Sequence, residues 1–380
     1  MLVLSATLTQ QQRKSLNASI TRENRHPCRL TVDDGTILPI RTPKESTVHV
    51  ICTSNIGETK NDVLAKVRSG ARVLWVCNTV KEAQDLYQQF QPSLPKEKLG
   101  LLHSRFCLQD RTANERLWLK NFGKTDAVEG ALLIGTQVVE QSLDIDADFL
   151  VTQLCPLDML FQRIGRLWRH ERPKRAVSNC QVTVLVPENL SNVLDAPSQS
   201  HEQNATKYFG ASAYVYAPYL LSRTFDWLRH KDKVSIPADI PVGLEEVYCE
   251  RSESGSTLLQ AWKQELEAHQ KKLSGLAITQ QIGFQGRTGS DDEMLAKTRY
   301  STREELTLII GNYTDTKDAL NRSVRCPKHW LQEDVWRSSN GCQDPIMLTD
   351  NGTQLCFNGQ PTSISYNKLT GLYKYSPVKA

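Results

Sequence analysis

Residues 135–170 read GTQVVEQSLDIDADFLVTQLCPLDMLFQRIGRLWRH. The final part, Gln162-Arg163-Ile164-Gly165-Arg166-Leu167-Trp168-Arg169-His170, is the sharpest signal in the chain. On a helix running to His170, Gln162, Arg166 and Arg169 stand at i, i+4 and i+7 and share one face. Leu160, Ile164, Leu167 and Trp168 fall on the opposite face, where they can pack on a core. Such a helix buries one side and presents an amide and two guanidiniums on the other. Gly165 lowers helix propensity by about 1 kcal/mol against Ala. A glycine at that position implies a close approach to the backbone. Two arginine forks on a rigid support suit bidentate recognition of phosphate oxygens.

Around this stretch the chain alternates between strand and helix. Strands are expected at 47–52, 71–77, 99–103, 131–135, 149–154 and 181–186, the last closing the sheet. Helices are expected at 57–69, 80–90 with Thr79 as its cap, 108–122 and 157–170. That alternation predicts an α/β fold with a parallel sheet covered on both faces. Ligands of such folds bind beyond the carboxyl ends of the strands. Those ends carry Asn78-Thr79, His103-Ser104-Arg105 and Gly135-Thr136-Gln137, three polar clusters along one edge suited to a nucleotide or a nucleic acid.

Before the sheet, Leu2-Val3-Leu4 reads as a buried strand breaking at Ser5-Ala6-Thr7, with nothing following it that could supply its neighbours. It looks like the last strand of another domain. A helix is expected at 9–20, then an irregular stretch to Ser46 with a turn at Asp33-Asp34-Gly35 between two short β-like runs. Beyond the sheet, 187–205 is polar and loop-like, 206–229 aromatic and helical, 250–256 a second linker and 258–276 an amphipathic connecting helix. From Ser301 onward β-like runs at 306–310, 354–357 and 363–366 dominate, with turn dipeptides Asn351-Gly352 and Asn358-Gly359. Four parts follow: 1–46, a remnant of a first domain and a connector; 47–190, the parallel-sheet domain; 191–300, a helical linker; and 301–380, a small β-rich accessory domain.

The totals set limits. The chain has 380 residues and a net charge of +4, from 46 basic and 42 acidic residues, too mild to argue nucleic-acid binding by itself. Its ten cysteines form no CxxC pair, and several lie in apolar runs, as expected in a reducing cytosol. Cys326 and His329 lack a second ligand pair at metal-site spacing, so no metal site is expected. No signal peptide and no apolar run of about 18 residues is evident, which predicts a cytoplasmic protein with no membrane partner.

These residues resemble the second half of a superfamily 2 helicase, whose two RecA-like domains clamp ATP between them. Ser5-Ala6-Thr7 resembles the coupling strand ending the first domain. Asn78-Thr79, Gly135-Thr136 through Asp144, and Gln162 through Arg169 resemble the three motifs of the second. The strings HSRF (103–106), GTQVVEQSLDID (135–146) and FQRIGRLWRH (161–170) resemble, more narrowly, the CRISPR-associated helicase–nuclease of type I systems, a family recruited by the Cascade surveillance complex. The resemblance implies that Arg166 and Arg169 contact the ATP γ-phosphate, an arginine-finger role, while Gln162 helps place the phosphates or the attacking water. Gly135, Asp144 and Gly165 would lie at the nucleotide. Thr136, Gln137, Ser104, Arg105 and Thr79 would hold the backbone of single-stranded DNA. Ser5 and Thr7 would couple the nucleotide state to the DNA track.

Three family features are missing. The sequence has no G-x-x-x-x-G-K-[ST] loop to cradle phosphates, no DEAH-like box, and no tandem His-Asp cluster, His230 and Asp232 being separated by Lys231. Asp291-Asp292-Glu293 reads as a loop or a helix start. The chain therefore supplies the finger, and the ATP pocket with its Mg²⁺ would come from a separately encoded N-terminal half. Alone it is expected not to hydrolyse ATP. The implied function is ATP-dependent translocation on single-stranded DNA in antiviral defence. The alternative is a non-enzymatic module, or an inactive remnant, that binds DNA or Cascade.

Overall fold

The computed structural model describes residues 45–124, 128–140, 143–195, 203–285, 304–333, 335, 346–350 and 354–374, with backbone alone for 30–31, 37–38, 193 and 273–285. Ser5, Thr7, the helix expected at 9–20 and the acidic run at 291–293 lie outside these residues. The two β-like runs flanking Asp33-Asp34-Gly35 pair as an antiparallel ladder, β1 (Leu30–Thr31) with β2 (Ile37–Leu38).

The parallel sheet forms as the alternation requires. Its strands are β3 (Ser46–Thr53), β4 (Arg72–Val76), β5 (Leu99–Leu102), β6 (Ala131–Gly135), β7 (Phe149–Gln153) and β8 (Gln181–Leu185). They are joined by helices α1 (Ile56–Arg68), α2 (Val80–Phe90), α3 (Leu108–Phe122) and α4 (Leu157–Ile164). The order is β5-β6-β4-β7-β8-β3, all parallel, with a seventh strand, β9 (Lys233–Ile236), antiparallel on the outer side of β3. The strand expected to close the sheet, β8, is thus internal, between β7 and β3. The true edge strand comes from the region read as a helical linker. Its sequence KVSI is too short to stand out among the charged residues around it.

Period-two alternation buries both faces of the sheet. In β4, Leu74 and Val76 face a core shared with Trp118 and Phe122 of α3 and Leu157, Leu160, Phe161 and Ile164 of α4. Val73, Trp75 and Cys77 face a second core with Val63 and Val67 of α1 and Ala83, Leu86, Tyr87 and Phe90 of α2. Helix α2 starts where its cap predicts: the Thr79 hydroxyl accepts from the Glu82 amide at 3.3 Å and donates to the Glu82 carboxylate at 2.6 Å. Helices Pro218–Leu228 and Asp239–Tyr248 extend the first core, and the long helix Thr257–Gln285 joins it through Leu258, Leu259 and Trp262.

The C-terminal part is a small β-rich unit with its own core. Its five-stranded sheet runs β11 (Ser323–Pro327), β10 (Glu305–Ile310), β12 (Ile346–Asp350), β13 (Leu355–Phe357), β14 (Gln360–Pro361), beside a hairpin of β15 (Ile364–Asn367) and β16 (Gly371–Lys374). Asn358 (φ 48°) and Gly359 (φ 80°) make the left-handed turn that this dipeptide favours. Cys107, from the parallel-sheet unit, packs inside this third core and joins the two units. The eight described cysteines are free thiols. No described helix is long and apolar enough to cross a membrane.

Candidate nucleotide and nucleic-acid surfaces

The carboxyl edge of the sheet is built around Asn78. Its side chain turns inward: Nδ2 donates to the Leu154 carbonyl (2.7 Å) and to Ser212 Oγ (2.9 Å), while Oδ1 accepts from Arg163 (3.1 Å). Gln137 Nε2 donates to the Asn78 carbonyl (3.0 Å) and to the Tyr216 hydroxyl (2.9 Å). Thr136 is buried, its amide donating to Leu102 O at 3.1 Å. Gly135 is required by packing, because a Cβ there would stand 2.4 Å from Val139 Cγ1. Thr79 is half-buried and Ser104 is exposed. Thr79, Ser104, Arg105, Thr136 and Gln137 thus all stand at this edge, as expected from the strand ends.

His103 and Arg105 have partners that sequence alone did not reveal. His103 is fully buried, stacked on Phe106 with ring centroids 4.4 Å apart. Its Nδ1 lies 3.1 Å from the Arg105 amide and its Nε2 3.0 Å from the Thr370 carbonyl. The neutral Nε2–H tautomer satisfies both contacts, accepting at Nδ1 and donating at Nε2. Burial, with the neighbouring Arg105 charge adding to it, pushes the His103 pKa down to about 3. The Arg105 guanidinium lies over the Trp330 ring at 4.2 Å, and its carbonyl accepts from the Leu372 amide at 2.7 Å. Gln84 donates to Thr370 O and Leu372 O at 2.6 and 3.0 Å. The Tyr366 hydroxyl donates to Asp110 at 2.6 Å. The HSRF segment is therefore both a strand end and the seat on which the β15–β16 hairpin docks.

The arginine-bearing segment differs from the expected helix. Helix α4 stops at Ile164; Gly165 caps it, its amide donating to Phe161 O at 2.9 Å. Leu167 then leaves the helix to bridge Ala147 just before β7, and Trp168 takes a left-handed φ of 48°. Gln162, Arg166 and Arg169 therefore do not share a helical face. The pull is the burial of Leu167 and the Trp168 indole N–H, which donates to Asp148 O at 2.9 Å. A Cβ on Gly165 would stand 3.3 Å from the Gln162 carbonyl, and its backbone (φ −62°, ψ −3°) is one that any residue adopts. Arg166 is half-buried, with Nε and Nη2 donating to the carbonyls of Val139 (3.2 Å) and Glu140 (2.7 Å). Burial and the nearby Arg169 charge lower its pKa. Arg169 is exposed and pairs with Asp144 at 2.7 Å, whose other oxygen lies 3.1 Å from His170 Nε2. Gln162 sits one turn before Arg166, half-buried. Arg166, Arg169 and Asp144 thus gather just past the carboxyl end of α4, and Arg166 is linked to the strand-end cluster through Glu140, whose carboxylate pairs with Arg163 beside Asn78.

Two buried ionic clusters hold these surfaces in place. Arg163, fully buried, donates to Glu140 (2.7 Å), Thr152 Oγ1 (2.6 Å) and the Tyr216 hydroxyl (3.0 Å). Burial opposes its charge, but the surrounding acidic groups outweigh burial and raise its pKa. In the second cluster, Asp146 accepts from Arg172 (2.5 Å) and Arg175 (3.1 Å), and Asp148 from Arg175 (2.8 Å) and Arg72 (3.4 Å). Burial would raise the Asp146 pKa, but the hydrogen bonds from Arg172 and Arg175 outweigh it and hold the carboxyl below the usual range. This cluster ties the loop after Arg169 to the strand end before β7. Its sequence signal was the alternating acids of Asp144-Ile-Asp146-Ala-Asp148 followed by the spaced arginines 169, 172 and 175.

A parallel sheet with strand-end polar groups and paired arginines past a capped helix has the architecture of a RecA-like domain. Residues 69–172 match the family model described as CRISPR-associated nuclease/helicase Cas3, C-terminal. Over these residues the chain is similar to the C-terminal part of this helicase–nuclease family. It is 33% identical over 233 residues to the CRISPR-associated endonuclease/helicase Cas3 of Escherichia coli (strain K12), covering 57% of this chain and 26% of that one. Its fold is similar to that of T. fusca Cas3-ATP, with a TM-score of 0.63, 25% identity, and coverage of 90% of this chain and 44% of that one. A chain of a CRISPR RNA-guided surveillance complex, pre-nicking, shares the fold with a TM-score of 0.61 at 23% identity, over 97% of this chain and 52% of that one. The chain spans between 15% and 26% of the length of the first three curated relatives.

Proposed function

We propose that this chain is the second RecA-like half and accessory domain of an ATP-driven motor on single-stranded DNA, working in antiviral defence together with a first RecA-like half. What carries the reading is the pair Arg166 and Arg169, held just past the end of α4 beside a sheet whose carboxyl edge is polar. Arg166 and Arg169 can face a nucleotide held by another domain, while Thr79, Ser104 and Arg105 stand where a strand could pass; Thr136 is buried and the Gln137 amide is turned inward, so these two would shape that edge from beneath. The residues present fit such a shared site. Two main-chain carbonyls aim Arg166, and Arg169 is an exposed guanidinium whose carboxylate partner, Asp144, is itself exposed and so exchangeable for phosphate. Gly135 and Gly165 would shape the same surface, and Gln162 would place a phosphate or a water. The pocket and Mg²⁺ would come from the other half, which also supplies the phosphate being transferred. This chain's arginines stabilise the charge that develops there, a role that contributes about 10³–10⁵ in rate in other NTPases. The likeness to a surveillance-complex chain supports Cascade as the recruiting partner, and the free thiols support a cytoplasmic setting.

The test is reconstitution. Mixing this chain with a first RecA-like half should produce ATPase activity stimulated by single-stranded DNA, and Arg166→Ala or Arg169→Ala should abolish the gain. No gain over the first half alone would refute the reading. Salt-dependent DNA binding with no partner-dependent ATPase would favour the non-enzymatic alternative.

A further inference from the structure

Gln137 and Glu140 are the two ends of one short helical turn that follows β6. The turn meets both candidate surfaces. Its first residue, Gln137, lies at the strand edge, and its last two carbonyls, of Val139 and Glu140, accept from Arg166 at 3.2 and 2.7 Å. Whatever fixes this turn therefore fixes Arg166.

Two side chains brace it. Arg163 of α4 donates from Nε to the Glu140 carboxylate at 2.7 Å. Tyr216, just past the helical turn Gly210–Tyr214 and outside every motif of the sequence, takes the other end: its hydroxyl accepts from Gln137 Nε2 at 2.9 Å. The same hydroxyl accepts from Arg163 Nη2 at 3.0 Å, so the two braces meet at one oxygen. The Tyr216 ring is buried in the first core. Burial pushes its pKa up to about 12, which keeps the hydroxyl a neutral phenol. The buried ion pair does not depend on this oxygen, since Arg163 also donates to Asn78 Oδ1 and Thr152 Oγ1, at 3.1 and 2.6 Å. What the hydroxyl adds is the connection from Arg163 to Gln137. Gln137 spends its second N–H on the Asn78 carbonyl at 3.0 Å, so its amide is held from both sides.

Building on the function proposed above, and dependent on it, we infer that Tyr216 is a positioning residue. Its hydroxyl locks the turn Gln137–Glu140 onto α4, so that a strand on the edge and the setting of Arg166 are coupled through it.

Tyr216→Phe removes the shared oxygen and keeps the ring in the core. Ser212→Ala is the control: it removes a bond from the neighbouring turn to Asn78 and leaves Gln137 and Arg163 their partners. Each full-length chain is mixed with a first RecA-like half, and ATP turnover is measured with and without saturating oligothymidylate. The ratio of the two rates should fall at least about fivefold in Tyr216→Phe, the lower end of coupling between sites, with KM for ATP within about twofold of the parent. It should keep the parent's value in Ser212→Ala. An unchanged ratio in Tyr216→Phe would overturn the inference, as would an equal fall in both variants, which marks mere anchoring of the segment. A second measurement uses the chain alone: hydrogen exchange at the Arg166 amide, which is bonded to the Arg163 carbonyl at 2.9 Å. Oligothymidylate should slow this exchange in the parent and leave it unchanged in Tyr216→Phe. A parent pair with no DNA-stimulated turnover refutes the proposed motor, and the exchange then decides the link by itself: a response confined to the parent supports it, and equal behaviour of the two chains sinks it.

Discussion

Acidification should undock the β15–β16 hairpin, and His103 sets the pH range. In the docked state its imidazole is neutral, because Nδ1 accepts from the Arg105 amide and Nε2 donates to Thr370 O. A second proton would sit at Nδ1, against that amide, in a site without water. The pKa is therefore down at about 3, against an ordinary 6.5 once the ring is solvated. The undocked state binds more protons between these values, so docking stability rises with pH and is lost as pH falls from about 6.5 towards 3. Each unit in that range removes about 1.36 kcal/mol, so about 2 kcal/mol is gone by pH 5. Asp146 does not confuse the measurement, since its depressed pKa confines its own destabilisation to pH values below the ordinary 3.8. The readout is hydrogen exchange at the Leu372 amide, which is bonded to Arg105 O. Its protection factor should drop roughly 30-fold between pH 7 and 5, while amides of central β7 hold theirs. His103→Gln, which keeps a donor and an acceptor without titrating, should show no such drop. An unchanged protection factor in the parent, or the same slope in His103→Gln, would refute the reasoning.

Gly371 stands at φ 72°, and a Cβ there would lie 2.4 Å from the Arg105 carbonyl, so Gly371→Ala should destabilise the same docking by about 2–4 kcal/mol. Near-parent protection of Leu372 in that variant would show that the seat can yield. Arg163→Met leaves Glu140 buried without its partner and should cost about 3–5 kcal/mol in urea unfolding, whereas adding Glu140→Leu should restore much of the loss. Equal stability of the single and double variants would mean the pair has no such coupling.

Local rules made the scaffold legible. Helix α2 begins at its Thr79 cap and ends at Phe90, and α3 spans 108–122, as their hydrophobic spacing requires. The strand-end clusters gather on one edge because a parallel sheet allows nothing else. Long-range partners were not legible. A helical wheel cannot show that Leu167 leaves α4 to bridge Ala147, nor that His103 finds its acceptor at Thr370. Nor does the sequence show that Arg163 and Glu140 form a single buried pair.

His103 and Thr370 are 267 residues apart. A ribosome adding about 5–20 residues per second needs on the order of 13–50 s to pass from one to the other. Throughout that interval the HSRF segment is made but has no seat-mate. Its imidazole titrates like any solvated histidine, and Cys107 lacks the apolar core that later encloses it. The loop that pairing finally closes adds only a logarithmic entropy cost, so its length delays docking far more than it weakens it. The HSRF edge is therefore completed only when residues synthesised 267 positions later reach it.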